Sequence, residues 1–522
     1  MADADTTDIE FAGSVAAFTG LAYVGKGHGS CGSGSQFGNK LSSGSRVIHG
    51  ELRGDLLHLL SFKQIYKAKW VELTVPDKSE YALFSFRWAF SGRLVAISPF
   101  ASYSPIVSGA LQQRGIGCKN VSMKRRPLRN PSSSFAWMIL FFLAILSNAL
   151  ATNERATSQL AEIPSSLQHF VDAGDTTGVV FLAAHQGKVI SHAAVGYQSL
   201  EADVAMDEDS IFWAASMSKP FVAVAVMMLV EEGRLSLEDP VAKHIPEFKG
   251  MLKTVPDYGY VSREVKLVKP DRPLTVQDCL NHTHGLPATG VTEAAESIRE
   301  RVIASARSTL DWEPGSKWRY GGDGLHVAAY LVEKYSGMSY AEFLKKRVFE
   351  PLGMRDTYFM LDEVPKDRLV GHYRRGSGET EWKADRFYNP VYFNPEGGLY
   401  STAEDMFRFY QMMLNDGVYK GERLLTKHSV KQLITITCGH LEKGDHIPNC
   451  YSALGFRVVR EATDPRTSGL NPGAFGHGGS GGSNVWADPT NDTIYIFMRN
   501  NWGSSQTPMI ETVQKIVSEA VE

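Results

Sequence analysis

Residues 213–220 read WAASMSKP, placing Ser216 and Lys219 three positions apart beside a long apolar run. A serine hydroxyl is a poor nucleophile at neutral pH and needs a nearby base or charge to activate it. On a helix, residues three apart share a face, so the Lys219 ammonium reaches Ser216 within one turn. A helix starting here adds partial positive charge and N–H groups at its N-terminus, which favour an oxyanion. An ammonium withdrawn from water also gives up its proton more readily. This is the pattern of a nucleophile with its activator. Taken alone, S-x-x-K also fits a helix-capping serine followed by a surface lysine.

The elements that must position this pair lie at both ends of the region after residue 152. SSLQHFVDAG predicts an amphipathic helix ending at Gly174, and residues 178–199 predict two strands around a Gln186-Gly187 turn. A long helix is expected after Ser216, through PFVAVAVMMLVEEG, with Gly233 as its stop. Helices and loops dominate to about residue 450. GSNVWADPTNDTIYIFMRNN then predicts two strands around a Pro489–Asp492 turn, and PMIETVQKIVSEAVE a closing helix. The expected fold is α+β: one antiparallel sheet built from both ends of the mature chain, flanked by helices, with an inserted helical lobe. A cleft between sheet and lobe is the natural ligand site.

The 522 residues exceed one compact core, while 43% apolar and 21% charged residues are ordinary for a globular protein. A net charge of −3 gives no nucleic-acid footprint, which requires a basic domain or stripe. The five cysteines include no C-x-x-C pair, so neither a zinc ribbon nor a disulfide scaffold is implied. Cys438 and Cys450 are open to either reading, a bridge in an oxidising compartment or two thiols.

From Met123 the chain reads MKRRPLRNPSSSFAWMILFFLAILSNALA. A basic head, an uncharged run from Phe135 to Leu146 and the small residues around Ala149-Leu150-Ala151 follow in the order of a secretory signal. The run is short for a membrane span, which needs about 20 apolar residues. Residues 123–151 are therefore expected to be a signal peptide, cleaved or kept as an anchor, with no stable membrane span after cleavage. The product is expected to be exported, either periplasmic or secreted. Residues 1–122 are expected to be an over-extended gene reading or a disordered extension, and 152–522 the working domain.

Three further stretches follow in order: LTVQDCLNHTHGLP (274–287), EPGSKWRYGGDG (313–324) and GHGGSGGSNVWADP (476–489). With these and phrases such as NPEGGLYSTAEDM (394–406) and FEPLGM (349–354), the chain resembles the serine β-lactamase and penicillin-binding-protein superfamily. Within it, the likeness is to the branch of class C β-lactamases, D,D-peptidases and related esterases, over nearly all of 160–522. The resemblance implies that Ser216 is the acylated nucleophile and Lys219 its proton partner. It makes Tyr320 the phenol that shares the general-base role. It sets His477, Gly478 and Gly479 on an inner edge strand against which substrate lies, and gives the oxyanion hole to the backbone N–H groups of Ser216 and Ser480. It assigns His282 and His284 a structural rather than a metal-binding part, and it requires no metal or organic cofactor.

Two departures bear on substrate. Gly322 stands where the family's Y-x-N element has its asparagine, and His477 where K-T-G has its lysine. The first removes a clamp for a substrate amide, the second a fixed charge for a substrate carboxylate. The expectation is a serine acyl hydrolase acting on small esters or β-lactam-like amides. A D,D-carboxypeptidase or D-amino-acid peptidase, and a non-catalytic penicillin-binding sensor, are the alternatives.

Overall fold

The computed structural model describes residues 155–521, apart from 259–262, 288–294, 388–390 and 442–448, together with the short strands Ala89–Phe90 and Arg93–Leu94. The chain divides into two units, Met1–Ala149 and Leu150–Glu522. In the first, the described part is that antiparallel strand pair. The signal read at 123–151 lies outside the described residues.

In the second unit, α1 (Ile163–Asp172) is followed by β1 (Gly178–His185), β2 (Lys188–Ser199) and β3 (Val204–Ala205). Then come α2 (Lys219–Glu231), α3 (Asp323–Ser336) and α4 (Ala403–Leu414). The chain ends with β4 (Cys450–Ser452), β5 (Arg457–Val459), β6 (Phe475–Gly478), β7 (Gly482–Asp488), β8 (Thr493–Trp502) and α5 (Thr507–Val521). The strands form one antiparallel path in the order β4-β5-β6-β7-β8-β1-β2-β3. The last long strand therefore pairs with the first, Ile496 opposite Leu182 and Phe497 opposite Phe181.

The alternation of β1 and β8 decides what covers the sheet. Val180, Leu182 and Ala184 with Ile494, Ile496 and Met498 face a large core shared with α2, α3 and α4. Val179, Phe181 and Ala183 with Tyr495 and Phe497 face a second core. There α1 contributes Ile163 and Leu167, and α5 contributes Met509, Ile510, Val513 and Val517. A strand buried on both faces is apolar at both parities, as these two are.

The helix α2 is apolar all round and buried from Lys219 to Leu229, so it forms the spine between sheet and lobe. Phe221 stacks on Phe409 of α4 with ring centroids 4.0 Å apart. The lobe also carries a hairpin, Lys253–Tyr258 paired with Arg263–Val268, which the helical reading of this region passed over. Two local expectations need correction. The α-helix begins at Lys219, and Ser216 sits instead in a 3-10 turn, Ala215–Ser218. The strand β6 is internal rather than an edge: β5 pairs with it at Phe475 and Gly476, and His477 and Gly478 run on past β5.

Candidate active site

The turn that presents Ser216 is fixed on both sides. The short strand Phe212–Trp213 pairs with Tyr400–Ser401, and the Ala214 N–H donates to the Leu399 carbonyl at 2.8 Å. The Ser218 hydroxyl donates to the Ala215 carbonyl at 2.6 Å and accepts from the Leu399 N–H at 3.1 Å. Between these anchors Ala215 takes φ +48°, a left-handed value that costs a non-glycine residue energy. The chain thereby swings from strand into turn within two residues, and Ser216 is left half-buried at the bend.

Behind the bend, Lys219 is 2% exposed. Its ammonium donates to the Ser216 Oγ at 2.9 Å and to the Glu396 carbonyl at 2.7 Å. The same nitrogen stands 4.8 Å from the centroid of the Tyr320 ring, in cation–π range. The three residues singled out in the sequence thus converge. The Tyr320 ring is in turn flanked by His282 (4.9 Å between centroids) and His477 (6.2 Å). Arg457, which the sequence gave no reason to notice, puts its guanidinium 5.0 Å from the Trp318 ring and 6.0 Å from that of Tyr320.

The histidines of NHTHG are buried and neutral. Burial, followed by the Lys219 charge, holds His282 well below the ordinary imidazole range. Burial and the Arg319 charge bring His284 to about 4, and its Nδ1 accepts from the Leu286 N–H at 2.9 Å. Among the described residues no group of three or more His, Cys, Asp or Glu side chains is placed to hold a metal ion. Cys438 and Cys450 stand as buried thiols rather than as a disulfide.

The far wall is the end of β6 and its turn into β7. His477 Nδ1 lies 2.6 Å from the Gly478 carbonyl; a carbonyl only accepts, so Nδ1 carries the hydrogen. Gly479 packs against the nucleophile's turn so closely that a Cβ there would lie 2.5 Å from the Ala214 carbonyl oxygen. Its N–H donates to the Ser483 carbonyl at 2.6 Å and its carbonyl accepts from the Gly482 N–H at 3.2 Å, closing the hairpin. Ser480 is exposed at the tip, where its Oγ accepts from the Trp502 indole N–H at 3.0 Å. Trp213, Trp502 and His372 form an aromatic cluster beside this turn, with centroids 5.5 to 6.1 Å apart.

The family model described as Beta-lactamase matches residues 164–515, more than half of the chain and every residue of the site just described. The chain belongs to the Beta-lactamase family. It is similar to penicillin-binding protein 4* of Bacillus subtilis (strain 168), 28% identical over 256 residues, covering 45% of this chain and 52% of that protein. It is also similar to esterase EstB of Burkholderia gladioli, 29% identical over 269 residues, covering 44% of this chain and 64% of that protein. Among solved structures, EstCE1, described as a hydrolase with promiscuous acyltransferase activity, superimposes with a TM-score of 0.56. It is 22% identical and covers 70% of this chain and 99% of its own. The fold is that of the β-lactamase and penicillin-binding-protein superfamily.

Set among Beta-lactamase relatives, the position of Gly322 has a definite occupant. A Cβ on Gly322 would fall 1.7 Å from Glu396 Oε2 and 1.8 Å from its carboxyl carbon. Glu396 therefore fills the space next to Tyr320 from a different loop. Its Oε2 lies 4.0 Å from Lys219 Nζ and its Oε1 3.9 Å from Arg301 Nη2. The loop is held rigidly: the Glu396 N–H donates to Asn394 Oδ1 at 3.0 Å, and the Trp213 indole donates to the Gly397 carbonyl at 2.6 Å. In the sequence Glu396 lies inside NPEGGLYST, a phrase that reads as scaffold, so its place beside Lys219 had no local signal.

Proposed function

We propose that this chain is an exported serine acyl hydrolase. Ser216 Oγ attacks the carbonyl carbon of a small ester or β-lactam-like amide. Its proton passes to the Lys219–Tyr320 pair, and the tetrahedral oxyanion is received by the backbone N–H groups of Ser216 and Ser480. Collapse gives an ester on Ser216, with the proton delivered to the leaving group; water then releases the acid by the reverse path. His477, Gly478 and Gly479 form the wall along which substrate lies. No metal or organic cofactor takes part.

The observation that carries this reading is the 2.9 Å hydrogen bond from a fully buried Lys219 to Ser216, with the Tyr320 ring against the same ammonium. A capping serine with a surface lysine would leave that amine in water. The esterase relative and the absence of a side chain at Gly322 favour ester over β-lactam turnover. Export rests on the 123–151 pattern alone.

Intact mass spectrometry of the exported protein, with and without a fluorophosphonate probe, tests both parts together. The expected result is a mature chain beginning near residue 152 and one adduct on Ser216 that Ser216→Ala abolishes. An adduct persisting in Ser216→Ala places the nucleophile elsewhere. Turnover of p-nitrophenyl acetate against nitrocefin separates esterase from lactamase. A penicillin adduct that never releases product would support the sensor instead.

A further inference from the structure

The carboxylate of Glu396 is not explained by the backbone around it. Gly322 has φ −99°, which any residue adopts, so glycine is needed there only because Glu396 occupies the space of its side chain. The two positions form one device: a glycine on the N-cap of α3 and an acid brought in from the 394–398 loop.

That acid is poised for a ligand. It is 23% exposed, while Lys219 beside it is 2% exposed. Its nearest cations, Lys219 and Arg301, stand at 4.0 and 3.9 Å, outside hydrogen-bonding distance. Among the described residues, neither carboxylate oxygen accepts a hydrogen bond, although a carboxylate offers about four lone-pair sites. It is separated from the reacting hydroxyl only by the Lys219 ammonium, which contacts both sides. A group on the carbon next to the scissile carbonyl is the part of an acyl chain that reaches this distance.

We propose that Glu396 determines acyl specificity, selecting substrates that carry a hydrogen-bond donor, an amine or a hydroxyl, on that α-carbon; this rests on the hydrolase reading above. An ionised carboxylate only accepts hydrogen bonds. It therefore rewards an α-ammonium or α-hydroxyl over an unsubstituted α-carbon, which leaves the partly buried carboxylate without a donor. Leaving a buried polar group unpaired in this way is what discriminates between analogues.

The test compares alanine methyl ester, methyl lactate, N-acetylalanine methyl ester and methyl propionate, each enantiomer separately, by acid release at constant pH. The wild type should show the highest kcat/KM on an α-amino or α-hydroxy ester. Glu396→Gln should lower the ratio of that ester to methyl propionate by at least about tenfold, the scale of one hydrogen bond to a charged group. The double variant Gly322→Asn/Glu396→Gly, which returns a donor to the same space, should shift the ratio in the same direction. It also serves if Glu396→Gln fails to fold. A wild type that hydrolyses methyl propionate at least as well as both donor esters overturns the proposal. So does a ratio unchanged in both variants while Ser216 still takes up the fluorophosphonate. Loss of that labelling in the wild type would instead remove the hydrolase reading itself. Separate measurement of the amino and hydroxy esters identifies which donor is used.

Discussion

The Lys219 ammonium bridges the Ser216 hydroxyl and the Glu396 carbonyl, at 2.9 and 2.7 Å, with its charge over the face of Tyr320. A cation in so closed a slot has one geometry. Lys219→Ala should therefore reduce kcat for p-nitrophenyl acetate by about 10²–10⁴, the range of a positioned proton-transfer group. Lys219→Arg should not restore it, because a planar guanidinium does not fit a site shaped for a compact ammonium. Circular dichroism would confirm that both variants fold. More than a tenth of wild-type kcat in Lys219→Ala would take the amine out of the chemistry.

The aromatic ring and the phenol of Tyr320 have separable duties. Tyr320→Phe keeps the face that Lys219 lies over and the contacts to His282 and Trp318, and removes only the hydroxyl. Melting temperature should move by no more than a degree or two, while kcat falls by about 10²–10⁴. A large loss of stability with activity retained would make this residue a packing element.

Gly479 is a test of distance. Its Cβ position lies 2.5 Å from a backbone oxygen of Ala214, which has no freedom to retreat because Ala214 is paired to Leu399. Gly479→Ala must push the 479–482 turn away from Ser216. Displacements of this size commonly cost about a hundredfold in rate. The expected signature is a fall in kcat/KM of that order, with Ser216 still labelled by a small fluorophosphonate, though more slowly.

Acid should destabilise the fold in a defined window. Burial, with the Arg319 and Arg301 charges respectively, brings His284 and His326 to about 4, and burial does the same for His372. Between pH 6.5 and 4 the unfolded histidines bind protons that the folded ones refuse, so stability is full above about 6.5 and declines as pH falls to 4. Each contributes up to about 3 kcal/mol. Asp405 acts in the opposite sense: burial pushes its carboxyl up to about 6, so the folded state binds that proton first and gains stability as pH falls through the same window. Melting temperature from pH 7 to 4.5 should therefore decline, more gently in His326→Gln and more steeply in Asp405→Asn. A flat profile would mean that these histidines are not buried neutral.

What was legible in the sequence was local. Ser216 and Lys219 declare themselves by spacing. The β1–β2 turn declares itself by Gln186-Gly187, which take φ of 50° and 77° as a tight hairpin requires. The two-sided burial of β1 and β8 follows from apolar residues at both parities. The long helix after Ser216 is legible, but the 3-10 turn that presents Ser216 is not, because the strain is carried by Ala215, whose side chain gives no hint of a positive φ. The internal place of β6 was hidden because its partner β5 is three residues long and is set by pairing, not by pattern. Glu396 was invisible for a stronger reason: its meaning depends on Gly322, far away in the chain, and on empty space that only folding reveals.

A buried arginine supports the Ser480 turn from within. Arg499 is fully buried, and its guanidinium donates to the carbonyls of Gly481 at 3.1 Å and Asn501 at 2.9 Å, and to Ser504 Oγ at 3.2 Å. Burial, reinforced by the Arg375 charge, lowers it to about 10, which leaves it cationic at neutral pH. Arg499→Met fills a similar volume but abandons those acceptors. It should cost about 3 kcal/mol or more, at about 1–3 kcal/mol for each acceptor left unmatched, and it should also loosen the turn that carries Ser480. Trp502→Phe separates the two effects. It removes the indole N–H bonded to Ser480 Oγ and trims the ring beside Trp213 and His372 while keeping an aromatic side chain there, so kcat should fall with a smaller change in urea midpoint than in Arg499→Met. If Arg499→Met lowers the urea midpoint yet keeps full kcat below its transition, the turn does not need its buried anchor. If Trp502→Phe is also fully active, the Ser480 segment is not part of the reacting site.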